Sequence, residues 1–348
     1  MQQYIKWLWA AALSLAVCLI YNDPSAYAVG LAVLAVGSVT VDQAWVIRFH
    51  DQLNLTYQQD GSLLENLIDG GMVHRDVSAA IDHHERLGNV MANDVISPFG
   101  QTKILNPEHS RRAATLQSSD AAVLVSDEHT LRSMVEPKNG YTKTIVSAMG
   151  RRADKHIIDA LTGSASTAAV TTGSGVITYG TQALPSARKI GGATAFDLNR
   201  TVNANELMSK AGVPTGMGVR IMLYSPGQLR DILAITQASS SDFTKNQIHD
   251  KGTINGVNWE GFTWIEIADV IGPDASTVLG RMLALASTTR SCIAFHKGAI
   301  GLSIGRDTTT KINERADLNN SIQVRAVKAM AAVRVWEGGV VQVDALEN

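Results

Sequence analysis

The chain has 348 residues, enough to bury a sizeable core and to form two compact units. Its formal net charge is -2 and its sequence pI is about 6.5, so no overall basic surface indicates nucleic-acid binding. The two cysteines, Cys18 and Cys292, are too few for a disulfide framework or a cysteine zinc site and suit a reducing compartment.

The first 36 residues form an apolar extension. Residues 5–21 are almost wholly apolar, and a second apolar run follows at 29–36. A helix of the first run would span about 25 Å, at the short limit for crossing a hydrocarbon core of roughly 30 Å. The sequence Ser25-Ala26-Tyr27-Ala28 resembles a small-residue cleavage site. Three interpretations stay open: an export signal, a membrane-active extension, or upstream codons included by a misassigned start.

The next two segments predict extended structure. Trp45, Ile47 and Phe49 alternate with their neighbours, which indicates a strand or an extended arm up to residue 57. Residues 58–115 carry charge of both signs. Within them, the runs 63–73 and 90–96 predict a long two-stranded hairpin, which needs support from a neighbour because an isolated ribbon is only marginally stable.

The densest group of potential metal ligands is Asp82, His83, His84 and Glu85, with His74 nearby. Adjacent histidines point to opposite faces of a strand and diverge by about 100 degrees on a helix, so one metal ion would not easily take both. Their spacing also differs from the i, i+4 pair of a metalloprotease helix. We therefore interpret this group as a solvated loop and predict no metal site.

The stretch 141–163 gives the strongest helix prediction. Its apolar residues recur at gaps of three and four, the spacing of one helical face; they are Tyr141, Ile145, Ala148, Met149, Ala153, Ile157, Ala160 and Leu161. The other face carries Lys143, Arg151, Asp154 and Lys155, with Arg152 and Asp159 near the boundary. Glycines at 140 and 163 suit its start and its end, and the helix would be roughly 33 Å long.

The region after this helix shows no catalytic motif. The small-residue stretch 164–175 lacks the Gly-Lys-Ser/Thr ending of a phosphate-binding loop and is interpreted as a flexible connector. Residues 203–211 predict a helix and 219–224 an apolar strand, after which Ser225 and Pro226 begin a further helix. No nucleophile elbow, Walker loop or dinucleotide fingerprint accompanies them.

Beyond residue 252 the pattern turns to β. Residues 262–267 alternate as a strand with an aromatic face. Residues 292–295 predict a buried strand, so Cys292 is interpreted as a small core residue and not as a nucleophile. The runs 322–335 and 340–343 are separated by a Glu-Gly-Gly sequence and predict a closing hairpin.

The central block of the chain reads HSRRAATLQSSDAAVLVSDEHTLRSMVEPKNGYTKTIVSAMGRRADKHIIDALTG. This block resembles the corresponding part of the major capsid proteins of tailed bacteriophages, in which a polar run leads into a long spine helix. The series continues in the family's order with YSPGQLR at 224–230, GFTWI at 261–265 and CIAFHK at 292–297. The resemblance covers about residues 39–348 and depends on this ordered series, because no single motif is a strong signature.

The resemblance implies an α+β fold of the tailed-phage major capsid type. Its expected parts are an apolar N-terminal extension (1–38), an N-terminal arm (39–57), an extended loop (58–115), a peripheral domain (116–200) with the spine helix at 141–162, an axial domain (201–320) and a closing β hairpin of the peripheral domain (321–348). For a capsid subunit, a misassigned start is the favoured interpretation of the extension.

The same resemblance implies a structural protein without enzymatic activity or cofactors. It would self-assemble through pentamers and hexamers into an icosahedral head that encloses double-stranded DNA without sequence specificity. The expected location is the virion capsid, assembled in the host cytoplasm, with scaffold, portal or decoration proteins as further partners. Residues 5–36 leave membrane contact open. The candidate assembly residues are Trp45, Phe49, Asp82, His83, His84, Glu85, Arg151 and Arg152.

Two rival functions fit parts of the sequence. An encapsulin, which is a cellular nanocompartment shell protein on the same fold, would contain the same elements. A secreted or membrane-anchored hydrolase would fit the N-terminus, but it needs a catalytic constellation that the sequence does not offer.

Overall fold

The computed structural model describes residues 59–95, 97–126, 138–170, 177–192, 194–216, 218–234, 253–268 and 282–347. All of these belong to one unit, residues 54–348. The predicted extension and arm, with Trp45 and Phe49, lie outside the described residues. Among the helices of the described ranges, none is both long and apolar enough to cross a membrane.

Strands outnumber helices in these ranges. The three α-helices are α1 (Lys138–Thr162), α2 (Leu198–Lys210) and α3 (Pro226–Leu233). The strands are β1 (Val73–Arg75), β2 (Ile81–Leu87), β3 (His109–Thr115), β4 (Gln117–Val125), β5 (Ala165–Val170), β6 (Ile177–Gln182), β7 (Lys189–Ile190), β8 (Arg220–Tyr224), β9 (Asn258–Trp259), β10 (Phe262–Glu266), β11 (Leu285–Ala286), β12 (Thr289–His296), β13 (Ile300–Arg315), β14 (Ser321–Arg334) and β15 (Val340–Leu346).

The first sheet is built on two long antiparallel strands, β13 and β14, in the order β1-β13-β14-β4. The register of β13 against β14 shifts on both sides of Arg306, and irregularities of this kind bend a strand and increase its twist. Helix α1 packs on this sheet, mainly against β14 and β4. Ile145 and Met149 of the helix form a small core with Val324 and Ala326 of β14.

The second sheet has seven strands and is buried on both faces. Its order is β7-β15-β12-β8-β10-β9, with β11 paired to β12. Successive side chains of a strand point to opposite faces. Accordingly, Ile221 and Leu223 of β8 join the core that contains the end of α1, whereas Met222 and Tyr224 join the core with residues of α2 and α3.

The third sheet has the order β2-β3-β5-β6 and is antiparallel throughout. The predicted hairpin of residues 63–73 with 90–96 was wrong, because β2 and β3 form the hairpin of this sheet. Residues 63–73 contain two short 3-10 turns and only the first residue of β1, and the described residues of 90–96 contain no strand. Strand β2 instead pairs with β3. Their sequences, IDHHERL and HSRRAAT, are polar and gave no indication that the two strands are partly buried.

The helix predictions are confirmed. Helix α1 begins three residues before Tyr141 and ends at Thr162, where the Arg334 guanidinium donates to the carbonyls of Leu161 (2.8 Å) and Gly163 (2.6 Å). A cation bound to the final carbonyls of a helix stabilises its C-terminus. Helix α2 begins after Asp197, whose Oδ1 accepts from the Arg200 backbone N–H.

Two other predictions of local structure were wrong. The stretch 164–175 is not only a connector, because β5 begins at Ala165 and pairs along its length with β6. The closing hairpin does not form either: β14 pairs with β13 and β4, while β15 pairs with β12 and β7. The Glu-Gly-Gly sequence is a 3-10 turn that carries the chain from the first sheet to the second.

Candidate assembly site

The hairpin of β2 and β3 ends in an apolar tip. The Gly88 N–H donates to the Glu108 carbonyl (2.7 Å) and closes a loop that contains no helix or strand in its described residues. Met91, Val95, Phe99 and Ile104 in this loop are between 86% and 97% exposed. So many exposed large apolar side chains on one loop indicate an interaction surface.

The base of the hairpin carries the predicted ligand group, and the solvated-loop interpretation of it was wrong. All four residues lie in β2. His83 stacks on Tyr179 of β6, with ring centroids 6.2 Å apart, and Glu85 pairs with Arg111 of β3 at the exposed surface (2.9 Å). His84 is buried, as the alternation of a strand permits.

Asp82 and His84 belong to a polar cluster with His74 of β1 and Ser303 of β13. Asp82 Oδ2 accepts from Ser303 Oγ (2.7 Å) and lies 2.6 Å from His74 Nδ1. His84 Nε2 lies 2.9 Å from Ser303 Oγ. The rings of His74 and His84 stack with centroids 4.3 Å apart and planes 12° from parallel.

Burial and hydrogen bonding shift the pKa values of this cluster in different ways. Desolvation, with a contribution from the nearby His74, lowers the pKa of His84 to about 4, so this imidazole is neutral at pH 7. Burial raises the pKa of Asp82, but the hydrogen bonds with Ser303 and His74 outweigh it and hold that pKa below its usual value.

The cluster contains serine, histidine and aspartate, yet its arrangement does not suit nucleophilic catalysis. In a catalytic triad the carboxylate orients the histidine, and the histidine takes the serine proton. Here Ser303 is fully buried and donates its proton to Asp82 directly. A neutral imidazole with a pKa of about 4 is also a weak base at neutral pH. The cluster is therefore not a hydrolase site.

A second polar centre lies on α1. Asp154 is fully buried and accepts from Gln59 Nε2 (2.5 Å), Ser62 Oγ (2.5 Å) and the backbone N–H groups of Leu63 and Leu64 (3.0 Å each). The segment 59–64 therefore lies across the helix, and the face that the sequence predicted to be polar is buried at Asp154. Lys155 is also buried and pairs with Asp159 (2.8 Å).

A close glycine contact lets this segment approach α1. A Cβ placed on Gly150 would lie 2.3 Å from the carbonyl carbon of Gly61, closer than any non-bonded carbons can sit. Gly61 has a φ of +73°, which favours glycine. Arg151 donates to the Gln59 carbonyl (3.3 Å), and burial lowers its pKa, while Arg152 is half-buried. Neither arginine lies on an open solvent face.

The sequence analysis did not indicate an ionic contact between the hairpin and Glu337, made by the buried Arg112 and the half-buried Arg86. Glu337 accepts from Arg112 of β3 and from Arg86 of β2 (2.8 Å), and Arg86 also lies over the Trp336 ring at 5.2 Å. These contacts tie the hairpin to the turn between β14 and β15. Neither strand has a sequence signal for this role, because Arg86 and Arg112 resemble ordinary surface charges.

Cys292 was predicted to be a core residue, and the reactivity of its thiol tests this prediction. Its thiol is fully buried in β12, and desolvation raises its pKa to about 12. In a Cys18→Ser background we expect iodoacetamide at pH 8 to leave the native protein unmodified and to alkylate it fully in urea, because only the thiolate reacts. Mass spectrometry measures both states. Rapid alkylation of the native protein would contradict the burial.

Comparisons with known proteins agree with this architecture. A sequence family described as phage capsid protein matches residues 41–347. No curated protein sequence matches the chain. Among solved structures, that of Mycobacterium phage Che8 is 16% identical with a TM-score of 0.61, over 86% of this chain and 97% of the other.

Two further structures give the same result. The capsid structure of the cyanophage P-SCSP1u is 13% identical with a TM-score of 0.64, over 88% of this chain and 95% of the other. The head structure of Helicobacter pylori bacteriophage KHP40 is 9% identical with a TM-score of 0.62, over 88% and 97%. At these identities the likeness shows a shared fold.

Proposed function

The chain belongs to the phage capsid protein family, and from this premise we propose how its described surfaces build a phage head. It is a major capsid subunit and a structural protein, not an enzyme. The α+β capsid fold that the sequence resemblance implied is confirmed. The family match favours a phage head over an encapsulin shell, and the buried serine cluster gives no support to a hydrolase.

Capsid subunits assemble with copies of themselves, and the chain is located in the virion capsid. We propose further that pentamers and hexamers of this chain form an icosahedral shell around double-stranded DNA, assembled in the host cytoplasm with scaffold, portal or decoration proteins. Subunits with a net charge of -2 would form a shell that encloses DNA without strong electrostatic attraction to it. The first sheet with α1 would be the peripheral domain, and the second sheet the axial domain.

The apolar tip of the β2–β3 hairpin carries the assembly proposal. Its side chains contact little of their own subunit, and burying them against a second copy would contribute about 25 cal/mol for each Å² removed from water. The base of the same hairpin is held by Glu337 and by the cluster around Ser303. A firmly held base with an uncovered tip suits a loop that reaches a neighbouring subunit.

Replacing residues 89–107 by a short Gly-Ser linker should abolish shell formation and leave the subunit folded. The ends of the loop already meet at the Gly88–Glu108 hydrogen bond, so the replacement spares both strands. Thermal unfolding of the subunit and negative-stain microscopy measure the two effects. Normal shells from this variant would rule out the tip as an intersubunit contact.

A pair of double variants separates apolar contact from loop length. Phe99→Ser with Ile104→Ser should reduce particle yield at least about tenfold, since truncating interface anchors typically costs about 2 kcal/mol or more. The control is Gln101→Ser with Lys103→Ser in the same loop, which should assemble normally. Equal losses from both pairs would point to loop conformation and not to apolar burial.

A further inference from the structure

The cluster at the base of the hairpin brings together three potential metal ligands from two strands, β1 and β2. Each of His74, Asp82 and His84 offers one ligand atom, and these three atoms lie within 4.8 Å of one another. His83 and His84 point to opposite faces of β2, so one ion does not bind both. The second imidazole comes instead from β1, ten residues before His84, and only the fold shows this.

We propose that His74, Asp82 and His84 bind one divalent transition-metal ion of the zinc class. Zinc takes imidazole nitrogens at about 2.0–2.1 Å and carboxylate oxygens at about 2.0–2.2 Å, which places tetrahedral ligand atoms roughly 3.4 Å apart. The carboxylate oxygen of Asp82 lies 2.6 Å from the His74 nitrogen and 3.8 Å from the His84 nitrogen. Shifts below an ångström would bring both distances to this value.

One ring must turn for the ion to enter. A metal lies in the plane of each imidazole that binds it, and the two rings are now stacked nearly parallel. The side chain of His74 is 43% exposed, whereas that of His84 is 2% exposed and packs against Gly301. His74 is therefore the ring that turns, and its exposed side gives the ion a path from solvent and room for water as a fourth ligand.

The remaining ligands are already oriented. Ser303 Oγ donates to the Asp82 carboxylate, the kind of supporting hydrogen bond that fixes ligands around a metal. His84 Nε2 lies 2.9 Å from the same hydroxyl, a contact that the ion would replace. Two nitrogens among three ligands favour zinc, cobalt or nickel over magnesium and calcium, which prefer oxygen.

The ion would join two sheets. His74 belongs to β1 in the first sheet, and Asp82 and His84 belong to β2 in the third. Binding would therefore cross-link the hairpin base to the sheet that carries α1, and an ion that binds only the folded chain stabilises it by mass action. The bound ion would stabilise the base of the loop that we propose to contact a neighbouring subunit.

The test uses full-length, EDTA-stripped protein without an affinity tag. Calorimetric titration with ZnCl₂ should give one ion per chain, and CoCl₂ should give the visible absorption of four-coordinate cobalt. Zinc at about a hundredfold above its Kd should raise the thermal midpoint by several degrees. His74→Ala should lower zinc affinity at least about 100-fold, because loss of a supporting residue alone costs 10-fold to 100-fold.

The matched control is His83→Ala, which removes a histidine from the face of β2 opposite to Asp82 and His84. It should bind zinc as the unmodified protein does. His74→Gln also removes the ligand but keeps a polar side chain at the exposed position. Weak zinc binding by this variant would therefore result from loss of the ligand and not from unfolding. No saturable zinc binding, or the same affinity in the His74 and His83 variants, would overturn the proposal.

Discussion

Replacing Ile157 and Leu161 together by alanine is expected to bring the subunit close to unfolding. Both side chains are fully buried and lie one turn apart in α1, within the core that joins the helix to the first two sheets. Each truncation typically costs about 2–5 kcal/mol, because it removes apolar contact and leaves a cavity. Their sum approaches the roughly 5–15 kcal/mol by which a native domain is stable. Denaturant unfolding of the purified subunit measures the loss.

Val146→Ala is the control for this double variant. Val146 lies in the same helix but is more than a third exposed, so its truncation should cost much less. If the double variant and the control unfold at similar denaturant concentrations, Ile157 and Leu161 do not carry the core of the helix. Each single variant should unfold at a denaturant concentration between those of the double variant and the control.

Asp154→Ala should produce the second-largest loss and should act on a different part of the chain. The change leaves the backbone N–H groups of Leu63 and Leu64 without their acceptor, and a buried unsatisfied donor costs roughly 1–3 kcal/mol. It also releases the anchor of a segment that places Leu64 in the core. We expect a lower thermal midpoint and faster proteolysis at residues 59–68.

Asp120→Ala provides a matched acid-to-alanine control. Asp120 lies at the surface of β4 and pairs with Arg325, which is also exposed, so the pair contributes little to stability. Its thermal midpoint should stay near that of the unmodified protein. Identical proteolysis of residues 59–68 in the two variants would show that Asp154 does not hold this segment.

Local periodicity was sufficient to predict helix α1 but not its surroundings. Apolar residues at gaps of three and four define one buried face whatever lies opposite. The burial of Asp154 on the other face depends on Ser62 and Leu63, about ninety residues earlier in the chain. A sequence pattern over one helix contains no information about a segment that distant. The face of α1 that was predicted to be polar is therefore partly an internal surface.

The extended segments could be predicted from the sequence, but the strands with which they pair could not. Alternation in β14 and β15 indicates extended structure, and a short glycine-containing link between two strands usually indicates a hairpin. Here the backbone N–H groups of Val335 and Trp336 both donate to the Ala299 carbonyl, which draws the chain toward the second sheet. That choice follows from the packing of β12 and β13. The hairpin of β2 and β3 was not predicted for a different reason, because its buried positions include His84 and Arg112, residue types that usually lie at the surface.

The interior position of β15 has a consequence during translation. The strand lies between β12 and β7, and its Val340, Val341 and Val343 are fully buried. A nascent chain that has reached only residue 339 therefore exposes the unpaired edge of β12 and an incomplete apolar layer, which are the features that promote aggregation. The second sheet can close only after residues 340–346 have emerged from the ribosome. Prematurely terminated chains would then lack a closed second sheet and keep these aggregation-promoting features exposed.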